Sequence, residues 1–173
     1  MTEQTWITSD LHAYHDNIIE HCKRPTTPEK HLEWLIDILN SYINKGDTVY
    51  HVGDFGFGKN ATFENLKYFL SRLNGTWLFI IGNHDKENQL KRVCEEVPGK
   101  HRVLGYYHER RLNGVDIIMF HYPIENWNKK RYGSVHLHGH LHNNKTELYF
   151  PNRHNICFDV EHKPYLLRSF TNK

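Results

Sequence analysis

Four short groups of Asp, Asn and His side chains each follow directly on a run of residues typical of a β-strand. The groups are Asp10-Leu11-His12, Gly53-Asp54, Gly82-Asn83-His84-Asp85 and Gly139-His140-Leu141-His142, with His121 between the last two. A sheet brings the ends of its strands to a common edge, so side chains that are distant in the chain can meet there. This order favours a fold in which several strand ends converge on one site.

The residue types and their spacing indicate a metal centre. Asp10 and His12, like His140 and His142, are two positions apart, and such residues point to the same side of an extended backbone. Asp, Asn and His ligands without a thiolate suit divalent metals that also hold water and phosphate, in contrast to a structural zinc. We therefore predict that the strand-end loops carry a metal site.

Hydrophobic periodicity predicts an alternation of strands and helices in the first half of the chain. Strands are expected at 5–9, 48–52 and 76–81, and helices at 28–43, 61–73 and 87–97. The second half is mostly β, because Asn113-Gly114 separates two strand-like runs at 106–112 and 115–120 and is typical of a hairpin. Further strands are expected at 135–138, 155–160 and 166–170.

Length and composition limit the class of protein. A chain of 173 residues predicts one domain spanning 1–173. The 22 basic and 20 acidic residues are too evenly balanced to indicate nucleic-acid binding by themselves. Three dispersed cysteines without a C-x-x-C pair favour a reduced, cytoplasmic setting over a disulfide framework or a zinc ribbon. No apolar run is long enough for a membrane span, so we expect no membrane partner.

The combined order D-x-H, G-D, G-N-H-D, H, G-H-x-H resembles the calcineurin-like metallophosphoesterase family. Ser9-Asp10-Leu11-His12, Arg24-Pro25 and His121-Tyr122-Pro123 are also similar to its small, single-domain bacterial and phage-type members. The similarity extends over nearly the whole chain. It implies an α/β fold, namely a four-layer αββα sandwich of two mixed β-sheets flanked by helices.

The resemblance also implies a site with two divalent metal ions, manganese first, with iron, zinc or nickel as alternatives. The first metal would be held by Asp10, His12, Asp54 and His142, and the second by Asp54, Asn83, His121 and His140. A hydroxide bridging the metals would hydrolyse a phosphoester, with phosphodiesters favoured. His84 would serve as general acid or transition-state stabiliser, and Asp85 would orient its ring.

Three further residues are weaker candidates for contact with the substrate. His15 follows the first group closely, Trp127 is interpreted as a wall of the active site, and Arg24 would bind a phosphate oxygen or pair with a carboxylate. His51, His136 and His138 are expected to be structural or supporting histidines. The resemblance implies a phosphoester substrate, and nucleotides and nucleic acid both remain open.

Two other functions remain as alternatives. Some members of the resembled family keep the fold without catalysis and act as scaffolds. In addition, Gly53 to Lys59 fits the G-x-x-x-x-G-K pattern of a P-loop NTPase, although Asn60 stands where the magnesium-binding Ser or Thr belongs.

Overall fold

The first half of the chain alternates strands with helices, as its periodicity predicts. The computed structural model describes residues 2–144 and 149–171. Its first half contains the strands β1 (Thr5–Thr8), β2 (Thr48–Val52), β3 (Thr76–Ile80) and β4 (Arg102–Gly105). Between them lie the helices α1 (Asn17–Cys22), α2 (His31–Tyr42), α3 (Phe63–Arg72) and α4 (Glu87–Glu96), with a short 3-10 helix at Pro28–Lys30.

The second half is built mainly of short strands. They are β5 (Tyr107–Leu112), β6 (Val115–Phe120), β7 (Val135–His138), β8 (Arg153–Asn155) and β9 (Tyr165–Leu166). One further helix, α5 (Phe158–Glu161), and 3-10 helices at Lys130–Tyr132 and Leu167–Phe170 complete the elements. Asn113 and Gly114 both have positive φ angles, +49° and +79°, and form the turn of the predicted β5–β6 hairpin.

The strands form two mixed sheets. The first sheet has the order β4-β3-β2-β1-β9, in which β1 to β4 are parallel and β9 is antiparallel. The second has the order β5-β6-β7-β8, with an antiparallel β5–β6 pair and parallel pairs beyond it. The predicted α/β fold with two mixed sheets flanked by helices is therefore confirmed.

Alternating side chains of the first sheet face two different apolar cores. Val49, Trp77 and Phe79 pack with the buried faces of α2, α3 and α4. Their neighbours Tyr50 and Leu78 pack instead against the inner face of the second sheet. This period of two places the first sheet in the middle of the structure, where the carboxyl ends of its parallel strands are held by packing on both faces.

Four elements differ from the sequence prediction. The expected strand 155–160 is the end of β8 followed by α5, and the expected strand 166–170 is the end of β9 followed by a 3-10 helix. The amide of Phe158 donates to the carbonyl of Ser9, so this segment turns toward the end of β1 instead of extending its own sheet. Helix α1 and strand β4 were not predicted.

Within the described residues, no helix combines the length and apolar character needed to cross a membrane.

Candidate metal centre

The loops that follow β1 and β2 lie side by side because the pairing of these parallel strands continues beyond their ends. The amide of Asp10 donates to the carbonyl of Gly53 at 2.9 Å, and the amide of His12 donates to the carbonyl of Asp54 at 3.0 Å. Three candidate ligands from two loops are thus brought together by backbone hydrogen bonds.

The second sheet joins the same site through the loops after β6 and β7. The amide of Gly139 donates to the carbonyl of His121 at 2.9 Å. The amide of His140 lies 3.1 Å from both carboxylate oxygens of Asp10. The site therefore spans the carboxyl ends of strands from both sheets.

Five candidate ligands have a left-handed backbone. The φ angles are +57° at Asp10, +47° at His12, +62° at Asp54, +72° at His140 and +51° at His142. This conformation is unfavourable for residues other than glycine and is often found at functional sites, where surrounding contacts hold it in place. The hydrogen bonds between the loops provide such contacts here.

Among the predicted ligands, the side chains form two overlapping groups whose possible ligand atoms lie within 4.8 Å of one another. One group is Asp10, His12 and His142, and the other is Asp10, Asp54 and His121. Oδ2 of Asp54 lies 3.5 Å from Nε2 of His12 and 3.4 Å from Nε2 of His121, so this one oxygen lies between ligands assigned to different metals. Asp10 is fully buried and Asp54 is only 2% exposed.

Asn83 and His140 complete the cluster. Oδ1 of Asn83 lies 2.9 Å from Nε2 of His121 and 3.1 Å from Nδ1 of His140. All seven residues predicted as ligands therefore belong to one connected group of side chains. Metal binding by them is a prediction taken up below.

The electrostatics of this group favour a positive charge. Burial by itself would raise the pKa of Asp10, but contact with His12 and the charges of nearby histidines lower it overall. For His121 and His142, burial by itself would lower the pKa. The neighbouring carboxylates nevertheless raise these pKa values to about 9 and about 10. A site that stabilises imidazolium in this way also stabilises a divalent cation.

Two glycines allow the loops to approach the carboxylates closely. A Cβ atom at Gly82 would collide with Oδ1 of Asp54, and one at Gly139 would collide with Oδ2 of Asp10. Both positions were predicted as places where the chain turns off a strand end. Glycine is needed at both positions chiefly because any side chain there would collide with a candidate ligand.

Asp85 has a different role from the predicted one. Its two carboxylate oxygens accept hydrogen bonds from the backbone amides of Asp54, Phe55 and Gly82, at 2.8, 2.9 and 2.9 Å. Burial nevertheless raises the pKa of Asp85 to about 6. The carboxylate therefore joins the loops after β2 and β3, and the prediction that it orients the ring of His84 is wrong.

His84 lies at the rim of the cluster. Its amide donates to Oδ1 of Asp54 at 2.9 Å, and its exposed ring packs on Phe57 with the ring centroids 3.9 Å apart. Partial burial lowers the pKa of His84 from its ordinary value. The residue is thus positioned beside the candidate metal ligands without belonging to either group of possible ligand atoms.

Arg24 pairs with a carboxylate, which was one of its two predicted roles. Its guanidinium makes two hydrogen bonds to Asp159, at 2.7 and 2.9 Å, and both side chains are fully buried. It also donates to the carbonyls of Leu11 and Asp10. The prediction that Arg24 binds substrate is wrong because these buried partners occupy its donors.

Asp159 and Cys157 are parts of the site that sequence reasoning missed. Oδ2 of Asp159 lies 2.7 Å from Nδ1 of His142, which fixes the ring from the side opposite Asp10. The buried thiol of Cys157 donates to Oδ2 of Asp10 at 3.0 Å. Neither residue stands in a recognisable motif, and the only signal was the position of residues 155–160 in a segment predicted to be a strand.

Trp127 does not form the predicted wall of the active site. Its buried ring packs against His136 on β7 and against Phe150, and its Nε1 donates to the carbonyl of Ser134. His136 lies on the face of the second sheet opposite the apolar core, so the segment around Trp127 covers that outer face. His136, His138 and His51 are all buried, consistent with the structural role expected of them.

His15 remains close to the cluster. Its ring packs edge-on against Phe57, with centroids 4.5 Å apart, and lies 5.6 Å from the ring of His12. Burial and the neighbouring cationic groups lower its pKa to about 4, which favours a neutral ring. Substrate contact by His15 stays a prediction.

The segment Gly53 to Lys59 does not form a phosphate-binding P-loop. The amides of Asp54 and Phe55 donate to Asp85, and the amide of Phe57 donates to the carbonyl of Ala13 at 3.1 Å. A P-loop needs such amides free to bind phosphate. The alternative of an NTPase built on this motif is therefore contradicted.

Comparison with known proteins identifies relatives of this chain, although no family model matches it. A solved structure from Aquifex aeolicus, the protein of unknown function AQ665, is similar with a TM-score of 0.76 and 22% identity, covering 98% of each chain. An archaeal phosphodiesterase aligns more weakly, with a TM-score of 0.49 and 18% identity over 89% of this chain and 82% of the other.

The uncharacterized protein MJ1445 of Methanocaldococcus jannaschii is 32% identical over 160 residues, which cover 90% of this chain and 81% of the relative. The aligned region includes most of the chain and both halves of the fold. By this similarity, the chain belongs to the same protein family as MJ1445.

Proposed function

We propose that this protein is a metal-dependent phosphoester hydrolase that acts preferentially on phosphodiesters. Two divalent cations would be held by the seven clustered carboxylate, amide and imidazole side chains: Asp10, His12, Asp54, Asn83, His121, His140 and His142. The observation that supports this most directly is the position of Asp54 Oδ2 between His12 and His121, at 3.5 and 3.4 Å. A carboxylate oxygen in that position can serve two cations at once.

The side chains fit the proposed cations. Among the described residues, neither ring nitrogen of His12 has a hydrogen-bond partner, although the residue is only 2% exposed. Buried polar atoms normally have partners, so an imidazole in this state suits a metal ligand. The donor set of oxygen and nitrogen atoms is one that manganese, iron, zinc and nickel can all accept.

Bound cations would lower the pKa of a coordinated water and neutralise charge on the phosphoester. The residues of the chain supply the geometry: Asp85 ties together the loops after β2 and β3, and Asp159 orients His142. His84, next to the ligands, would donate a proton or a hydrogen bond to the leaving oxygen. The negative charge of a bound phosphoester counteracts the effect of burial on the pKa of His84.

Replacement of His84 tests this proposal. In protein loaded with manganese, H84A is expected to hydrolyse bis(p-nitrophenyl) phosphate about a hundred- to ten-thousand-fold more slowly, since general acids contribute rate factors of this order. Its metal content, measured by elemental analysis, should equal that of the unmodified protein. H21N, at an exposed histidine of α1, is the control and should retain both turnover and metal.

Two results would contradict the proposal. Equal loss of metal and turnover in H84A would show that His84 acts in metal binding instead of chemistry. If protein loaded with manganese, iron, zinc or nickel failed on model monoesters, diesters, cyclic nucleotides and nucleic acid alike, the scaffold alternative would be favoured.

A further inference from the structure

A cavity of about 300 Å³ opens next to His84, and none of its lining residues belongs to the second sheet. Its walls include His84, Phe57, Lys59, Lys86, Leu66 and Gln89. The apolar side chains of Phe57 and Leu66 and the two lysines give it an apolar wall and a cationic rim. None of the seven candidate ligands lines this cavity, and it shares only His84 and Asp85 with the chemistry described above.

The charge of this cavity is positive. Asp85 also lines it, but both oxygens of that carboxylate already accept backbone amides. The ion pairs on the neighbouring helices involve other cations, since Lys67 and Arg92 pair with Glu96 and Lys91 pairs with Glu87. Among the residues that the structure describes, Lys59 and Lys86 thus have no carboxylate partner of their own.

The segment that carries Lys59 is fixed relative to the start of α4, where Lys86 lies. The amide of Ala61 donates to the carbonyl of Gly58 at 3.1 Å, which closes the turn around Lys59. Nε2 of Gln89 on α4 then donates to the carbonyl of Ala61 at 2.8 Å. The two ammonium groups are therefore presented from backbone segments whose separation is set by hydrogen bonds.

We infer that this cavity, called here the lysine cavity, binds a second phosphate carried by the leaving group of the substrate. The inference rests on the proposed function, because His84 marks the leaving-group side only if it protonates the leaving oxygen. An ammonium group offers a point charge and three donors to a phosphate. Two of them beside His84 would favour substrates whose leaving group is itself a phosphate ester.

A second cavity of about 380 Å³ extends the same path. It shares Lys59, Lys86 and Gln89 with the lysine cavity and adds Asn88 and Arg92. The cationic surface therefore continues away from His84 along α4. Two kinds of substrate carry phosphates in this relation, namely nucleoside diphosphates, with adjacent phosphates, and nucleic-acid strands, with phosphates one nucleoside apart.

The test compares substrates that differ only in the second phosphate. A thymidine dinucleotide is assayed without a terminal phosphate and with one at either end, and AMP is compared with ADP. For each pair, the ratio of kcat/KM with and without the extra phosphate is measured for the unmodified protein, K59Q, K86Q and the double variant. K45Q is the control, because Lys45 is exposed and precedes β2 at the opposite end of that strand.

We expect the ratio to exceed about ten in the unmodified protein and in K45Q, and to fall about three- to tenfold for each lysine replaced. If the lysine replacements lower the ratio only for the dinucleotides, the substrate class is a nucleic-acid strand. If they lower it only for ADP relative to AMP, the substrate class is a nucleoside diphosphate. Hydrolysis with ratios that are the same in the double variant and the unmodified protein would overturn the inference while leaving the proposed function intact.

A binding measurement without metal tests phosphate binding in the lysine cavity separately from the proposed hydrolase function. In EDTA, the fluorescence anisotropy of a labelled, terminally phosphorylated dinucleotide should show weaker binding to K59Q and K86Q than to K45Q. The slope of log Kd against log salt concentration should fall by about one per lysine. If no protein hydrolyses any substrate, the proposed function fails, and equal binding by all variants in this assay overturns the inference.

Discussion

Nδ1 of His142 lies 2.7 Å from Oδ2 of Asp159, and this contact determines how the ring faces the candidate metal centre. The other ring nitrogen, Nε2, lies 3.8 Å from Oδ1 of Asp10. A carboxylate that accepts the Nδ1 proton leaves Nε2 available to a metal. Asp159 is itself held by two hydrogen bonds from Arg24, so two buried residues support one candidate ligand.

Replacing Asp159 with asparagine should weaken metal binding. D159N keeps the shape of the side chain but removes the negative charge that orients and polarises His142, and such changes typically lower metal affinity about 10- to 100-fold. Calorimetric titration with Mn²⁺ measures the effect. D37N, at an exposed aspartate of α2, should bind Mn²⁺ as the unmodified protein does, and equal affinity in D159N and D37N would show that Asp159 does not support a metal ligand.

Loss of the Arg24 guanidinium should destabilise the protein strongly. R24M leaves Asp159 buried without its guanidinium partner, and breaking a buried pair in this way costs about 3–5 kcal/mol of unfolding free energy. The matched control is R72M, because Arg72 makes a similar two-bond pair with Glu33 on the surface. Exposed pairs contribute at most about 1 kcal/mol.

Urea denaturation of both arginine variants gives the comparison directly. If R24M does not fold, R24K provides the measurement, since it keeps the charge and loses the two-bond geometry. Equal destabilisation by the Arg24 and Arg72 replacements would show that burial of the pair is unimportant.

Replacing Asp85 with asparagine tests its role as a support for two loops of the site. As a support for the loops after β2 and β3, D85N should lose about 2–4 kcal/mol of stability together with Mn²⁺ affinity, because an amide nitrogen cannot accept a hydrogen bond from a backbone amide. Loss of turnover with unchanged stability and metal content would contradict this supporting role. Measurement of all three properties in D85N distinguishes these results.

The stability of the protein should fall in mild acid because of buried neutral histidines. Burial lowers the pKa of His136 to about 4, whereas the unfolded chain binds the proton near pH 6.5. Since the folded protein takes up fewer protons between these values, its unfolding free energy decreases as the pH falls from about 6.5 toward 4.

The substitution H136Q removes the contribution of His136 to the pH dependence of the unfolding free energy. Between pH 7.5 and 5.5, urea unfolding of H136Q should lose about 1 kcal/mol less stability than the unmodified protein does. The exposed His21 serves for comparison, and H21Q should keep the original dependence on pH. Identical pH dependence in all three proteins would mean that His136 is not held neutral.

Local patterns predicted most of the fold, because strands such as β2 and β7 and the Asn113-Gly114 hairpin depend on residues close in sequence. The clustering of the seven candidate ligands was also predictable, since parallel strands deliver their ends to one edge. Asp159 was not predictable, because its role comes from contact with Arg24, 135 residues away. Likewise, Asp85 stands next to His84 in sequence, and only the packing of two loops directs its carboxylate to their amides.

The distribution of the site along the chain has a consequence for biosynthesis. The residues that would hold or support the first cation range from Asp10 near the start to His142 and Asp159 near the end, and both sheets must be in place before they meet. A nascent chain therefore has no complete cation site until residue 159 has left the ribosome. Metal capture would then come late and would not guide the earlier steps of folding.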